Sequence, residues 1–254
     1  MRKVSRWFQR NLIRIYAGVA FTYLFIPVAY TFAFSFNDSR KSNLVWQGFT
    51  LENWQNPCGA PEICTALGNS IKIGFLATLF STILGTMIAF AIGRYHFKGR
   101  STTNLLIFLP MATPEIVLGA SLLSLFLVFQ INPGFWPTVI AHVLFCVSFV
   151  VVTVKARIAS LDPRLEQAAM DLYANERETF RRVTLPLVAP GIAAAALLAF
   201  SLSFDDFIIT NFNSGTITTF PKFVYTSAAR GIPAQANVIG SAMFFLALAI
   251  VIIG

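Results

Sequence analysis

Three carboxylates interrupt apolar stretches of this 254-residue chain: Glu115 in PEIVLGASLLSLF, and the adjacent Asp205 and Asp206 in SLSFDDFIITNF. Carboxylates among apolar residues accept charge-assisted hydrogen bonds and attract cations. Each costs about 2.5–3.5 kcal/mol at the centre of a membrane helix, so such groups usually face a pathway. Asp205 and Asp206 are neighbours and diverge by about 100° on a helix, so at most one of them points straight at a given ligand. Phe204 and Phe207 flank the pair and can add cation–π attraction. This set could bind and pass a cation such as an ammonium group. The competing reading is structural. The Asp pair would sit solvated at an interface beside Asn211 and Asn213, or paired with a neighbouring subunit, and Glu115 would cap a helix broken after Pro114. Catalytic patterns are absent from the sequence: there is no phosphate-binding loop, no G-x-S-x-G and no metal-ligand spacing. Neither a metal nor a cofactor is therefore expected on this chain.

Composition supplies the setting that these residues need. The chain is 56% hydrophobic and 12% charged, with 26 Phe, whereas soluble domains carry about 25% charged residues. A helix of about 20 apolar residues crosses a bilayer. Six spans are expected, at roughly 13–36, 70–94, 104–130, 137–159, 187–210 and 235–254. Pro27, Gly85, Pro110, Pro114 and Gly119 fall inside them and are tolerable where neighbouring helices satisfy the freed backbone groups. The basic start MRKVSRWFQRNLIR reads as the flank of a retained first span, because no small-residue cleavage site follows. The last span reaches Gly254 without a polar flank, so the true end of the protein is expected beyond it.

Orientation follows from Lys and Arg. Arg2, Lys3, Arg6, Arg10 and Arg14 precede span 1, and Arg94, Lys98 and Arg100 separate spans 2 and 3. Lys155, Arg157, Arg164, Arg177, Arg181 and Arg182 separate spans 4 and 5, leaving Arg40, Lys41, Lys72, Lys222 and Arg230 on the other side. Both termini are expected in the cytoplasm. The net charge of +8 is spent at span ends as a topology signal and does not form a nucleic-acid face. On the outer side, the loop 37–69 contains CGAPEIC. There Cys58 and Cys64 form either a small disulfide, where the compartment is oxidising, or two free thiols. Cys146 and His142 lie mid-span; the first reads as packing. The second reads as a core hydrogen bond rather than a proton relay, which would need titratable partners.

The cytoplasmic stretch SLDPRLEQAAMDLYANERETFRRVTLPLVAPG is patterned as helix, turn, helix. Asp162-Pro163 is a start signal. Leu161, Leu165, Ala168 and Leu172 share one apolar face, with Arg164, Gln167 and Asp171 on the others. Asn175 with Glu178 looks like a capping box for a second helix, which Pro186 is expected to end. The apolar face suits either the membrane surface or a groove on a partner.

The run E-Q-A-A-M-D-L followed by T-F-R-R-V-T-L-P-L resembles the coupling (EAA) loop of ABC importer permeases. WQGFTLENW (46–54), RYHFKGR (94–100), PEIVLGASLLSLF (114–126), GFW (134–136), H-x-x-FC-x-x-FVVVTV (142–154) and SLSFDDFIITNF (201–212) extend the resemblance over nearly the whole chain. Together they are similar to the second permease subunit of spermidine/putrescine importers. The resemblance implies an all-α membrane protein of the type I importer kind, a single permease domain over 1–254. Six transmembrane helices would be joined by a cytoplasmic coupling helix-turn-helix at 161–186. It implies docking on an ATPase through Leu165, Glu166, Gln167, Ala168, Ala169, Asp171, Leu172 and Tyr173. Glu115, Phe204, Asp205 and Asp206 would line the path of a polyamine. The implied partners are a homologous permease in a heterodimer, two copies of a cytoplasmic ATPase that carries ATP-Mg, an extracytoplasmic binding protein and bilayer lipid, all at a bacterial inner membrane.

Two positions depart from the family pattern. Gln167 replaces the usual Glu, with Glu166 beside it pointing about 100° away. Tyr173 replaces the Gly at the turn, where a left-handed backbone would cost a Tyr about 1–2 kcal/mol. Two other functions compete with the polyamine reading. One is a permease for another small amine or cation. The other is an ion-coupled transporter, which would show an internal repeat; none is visible.

Overall fold

The apolar runs do become helices, and nearly the whole chain is helical. A computed structural model describes residues 2–39 and 42–253, with side chains described outside 2–10, 251 and 253. The side chains of Arg2, Lys3, Arg6 and Arg10, both Arg40 and Lys41, and the chain end at Gly254 lie outside what is described. By length and hydropathy four stretches cross a membrane: Asn11–Phe34, Ile63–Arg94, Phe135–Ala159 and Glu176–Asp205. The pair Arg100–Ala112 and Glu115–Val128, bent by 108°, makes a fifth if it is counted as one broken span. The expected six is reached only by adding the shorter apolar helix Ala234–Ile250.

Contacts divide the chain into two compact units. The first takes residues up to 64 and from 224 onward. In it α1 (Arg2–Phe34) lies along α12 (Ala234–Ile253). Phe25 meets Phe244 and Phe32 meets Phe245, both edge-on. The polar loop after α1 is ordered by Asn37, which is fully buried. Its side chain donates to Asn43 Oδ1 and Val45 O and accepts from Gln47 N. Asn53 of α2 (Glu52–Gln55) donates to the carbonyls of Ser35 and Asn37. Cys58 and Cys64 are joined by a disulfide. Cys64 is already helical, because α3 (Ile63–Arg94) starts well before residue 70 and shortens the outer loop expected at 37–69.

The second unit, 65–223, holds the core. Here α6 (Phe135–Ala159) packs along α9 (Leu185–Asp205), burying Phe145, Val150, Val154, Ala195 and Ala199. α3 closes on α6 at Gly85, where an added Cβ would stand 2.6 Å from Val150 Cγ1. In lipid there is no hydrophobic driving force between helices, so close packing at small residues helps to join them.

Two expected spans are broken. The stretch 104–130 is α4 (Arg100–Ala112) and α5 (Glu115–Val128), parted at Thr113-Pro114. Pro110 is carried inside α4, as expected, but Pro114 is not carried. It forces Thr113 out of the helical region, to ψ 133, as a residue before proline generally is. The stretch 187–210 is α9 ending at Asp205 and α10 (Ile208–Asn213), parted at Asp206 with ψ 122.

Candidate functional site

The two breaks adjoin. α10 packs on α5 because Gly119 has no side chain: an added Cβ would come within 2.9 Å of Phe212. Asn213 Nδ2 donates across to Gly119 O at 3.3 Å. Glu115 opens α5 and Asp205 closes α9, and the charges of Asp205 and Asp206 both act on Glu115. All three carboxylates named from the sequence therefore lie within electrostatic reach of one another, where the two breaks adjoin.

Their environments differ. Glu115 and Asp205 are exposed in this chain, and Asp206 is buried. The Asp206 carboxylate accepts hydrogen bonds from Ile209 N at 3.2 Å, Thr210 N at 2.8 Å and Thr210 Oγ1 at 3.0 Å. It thus satisfies the first amides of α10, which the break would otherwise leave without partners. His142, from α6, lies 3.3 Å from the same carboxylate. Its Nδ1 is 2.7 Å from Ser203 Oγ on α9, and its Nε2 is 2.9 Å from Thr210 Oγ1 on α10. His142 therefore ties both halves of the broken helix to α6 as a hydrogen-bonding core residue, and Asp206 is a titratable neighbour that the sequence did not reveal. The pair is split by role: Asp206 holds the break and Asp205 remains available. Phe204 stacks on Phe200 at 5.9 Å and approaches Phe220 at 6.4 Å. It belongs to an aromatic row, and nothing sets its face opposite the carboxylates.

The segment 161–186 forms α7 (Arg164–Asp171) and α8 (Glu176–Thr179). Asp162 Oδ1 accepts from Arg164 N at 2.9 Å, and the Asn175–Glu178 capping box is complete. α7 ends in a paired turn, with Tyr173 N donating to Met170 O and Ala174 N to Ala169 O. Such a turn needs a left-handed residue, normally Gly; Tyr173 fills it at φ 66. One expectation fails here. Pro186 does not end the second helix, which runs through a π-turn at Phe180–Thr184 directly into α9. Pro186, which has no N–H to continue the ladder, is the second residue after that π-turn, where the hydrogen-bond register changes.

The apolar face of α7 splits. Leu161 packs on the core, while Leu165, Ala168 and Leu172 face outward together with Gln167, Asp171 and Tyr173. Ala169 is half-buried. Tyr173 is 98% exposed, so its ring contributes no packing within this chain. Tyr173→Gly is expected to raise the melting temperature of the purified chain slightly. It removes about 1–2 kcal/mol of left-handed strain, against a loss of about 0.5–1 kcal/mol to the freer unfolded backbone. A lower melting temperature would mean that the ring makes a stabilising contact.

Glu166 faces the other way. Its carboxylate takes both Nη groups of Arg94, at the end of α3, and the Thr184 hydroxyl at 2.5 Å. Burial alone would raise its pKa. The bonds from Arg94 and Thr184 and the Arg94 charge outweigh that and hold the carboxyl below its usual range. The cluster is thus intact at neutral pH and is lost only as acidification passes through the lowered value. Sequence reasoning placed Glu166 on the docking face and read Arg94 only as a topology charge. The two residues are 72 positions apart, and no local spacing links them.

Residues 69–254 match the family described as binding-protein-dependent transport system inner membrane component. The chain is 34% identical over 251 residues to the spermidine/putrescine transport system permease protein PotC of Haemophilus influenzae, covering 98% of this chain and 96% of that one. It is 35% identical over 232 residues to the putrescine transport system permease protein PotI of Escherichia coli, covering 88% and 82%. Its fold is similar to that of a bacterial ABC transporter involved in the import of the acidic polysaccharide alginate, with a TM-score of 0.69 at 17% identity over 99% and 96% of the chains. A second similar fold is the MetNI methionine ABC transporter, with a TM-score of 0.59 at 16% identity over 75% and 94%.

Proposed function

The chain belongs to the binding-protein-dependent transport system inner membrane component family, and on that premise we propose that it is the permease subunit of an ABC importer for polyamines of the spermidine/putrescine class. The observation that carries the solute is the acidic cluster of Glu115, Asp205 and Asp206 where two broken helices meet. Fold alone does not choose a solute, since a transporter of an acidic polysaccharide has a similar fold. Charge at these positions supports one: a polyamine presents ammonium groups that need ionised acceptors. The long identity to polyamine permeases supports the same solute.

In this reading the chain sits in a bacterial inner membrane, multi-pass, with both termini and the 161–186 segment in the cytoplasm. It pairs with a homologous permease, receives solute from an extracytoplasmic binding protein and binds no nucleic acid. Two copies of a cytoplasmic ATPase bind ATP-Mg, and one of them docks on the outward face of α7 at Leu165, Ala168, Leu172 and Tyr173; this chain catalyses nothing and binds no cofactor. ATP binding draws the ATPases together, α7 moves with them, and the carboxylates become accessible from alternate sides. The cycle requires a ligand with different affinities for the two states. The test is radiolabelled spermidine uptake by liposomes holding the full complex, with unlabelled putrescine and other amines as competitors. ATP-dependent uptake that polyamines outcompete supports the reading. Competition only by an unrelated cation overturns the polyamine assignment, and uptake by this chain without ATPase overturns the importer.

A further inference from the structure

We infer that Arg94, Glu166 and Thr184 form a strut that carries movement of the docked helix into the membrane helices. This rests on the coupling role proposed above for α7 and assigns the residues through which the coupling passes. α7 has eight residues, too few to be stable unaided, and its outer face is open to a partner. Something on its inner side must bind it to the spanning helices if its displacement is to reach them. Apolar packing does not do this alone. A cavity of about 630 Å³ lies there, bordered by Met87, Phe90 and Arg94 of α3, by Glu166 and Met170 of α7, and by Phe180. Side chains that face each other across such a groove are not interlocked as they are in a packed core.

The Glu166 carboxylate reaches both sides of that space. It holds the end of α3 through Arg94 and the start of α9 through Thr184. Among the described residues, it is the α7 side chain that is hydrogen-bonded to a spanning helix. A two-pronged guanidinium–carboxylate contact fixes orientation as well as distance, which a single lysine contact would not. Thr184 is the last residue of the π-turn. Such turns carry an extra residue and often occur at functional sites. Displacing α7 would therefore load α9 through the π-turn that begins it. Arg94 and Thr184 touch neither the solute nor the ATPase in this scheme; they are positioning residues acting through Glu166.

The experiment uses the full complex in liposomes and reads ATP hydrolysed per spermidine imported, with loaded binding protein present. Glu166→Gln and Arg94→Gln are each expected to raise that ratio by about tenfold, an ordinary size for a coupling between sites. Co-purification of the ATPase should be unchanged. The reversed pair Arg94→Glu with Glu166→Arg should recover part of the loss, and Thr184→Val should give a smaller rise. An unchanged ratio in the single variants, or a reversed pair no better than its worse single, overturns the strut. Leu172→Asp separates this from the docking reading. If it leaves ATPase co-purification intact, α7 is not the docking helix, whatever the ratio does.

Discussion

Asp205→Asn is expected to lower polyamine uptake by about tenfold to a hundredfold while leaving complex assembly intact. The side chain is exposed, lies within electrostatic reach of Glu115 and makes no hydrogen bond or ion pair among the described residues. Replacing it therefore removes a charge without unsettling a fold contact. A hydrogen bond to an ionised group contributes about 1.5–3 kcal/mol, which sets the size of the effect. Uptake by the reconstituted complex, with abundance and ATPase co-purification as controls, measures it. Wild-type kinetics in a fully assembled complex would take Asp205 off the path. Glu115→Gln is the paired variant; together the two should lose more than either alone, because they share one ligand.

Asp206→Ala should behave in the opposite way, costing stability first and transport only as a consequence. Truncation leaves the amides of Ile209 and Thr210 and the buried ring of His142 without their acceptor. Leaving a buried donor without its acceptor costs about 1–3 kcal/mol each, and no water in a hydrocarbon setting compensates. The expected result is a large drop in melting temperature in detergent and low membrane abundance. Asp206→Asn retains acceptor oxygen and should fall between wild type and Ala. A stable, abundant Asp206→Ala protein with defective uptake would assign Asp206 to the path and contradict the capping role. Comparing neighbouring variants is informative because adjacent carboxylates of equal chemistry are expected to fail by different routes.

Much of this was legible in the residues. Low charge and long apolar runs dictate membrane helices whatever their packing, because no other helical environment accepts them. Asp162, Asn175 and Glu178 announced helix starts, and all three make the predicted local bonds. Tyr173 stood where a left-handed residue was needed and adopts that conformation. These features are local: each depends on partners within four residues, so spacing suffices to find them. Proline was less readable. Pro110 and Pro186 are carried within continuous helix and Pro114 breaks one. The difference lies in what surrounds each, and a single chain does not encode that locally.

By itself, the sequence determined the membrane class, the helix-turn-helix of the 161–186 segment and the three carboxylates proposed to meet a cationic solute. Only the tertiary structure decided which carboxylate is free. Asp205 and Asp206 are chemically equivalent until α6 brings His142 against one of them and α10 turns its first amides toward the same oxygens. It also turned Glu166 inward, against Arg94 of a distant helix. Both outcomes have one physical reason. A buried charge persists only where partners meet it, and those partners arrive from elsewhere in the chain, by packing rather than by spacing.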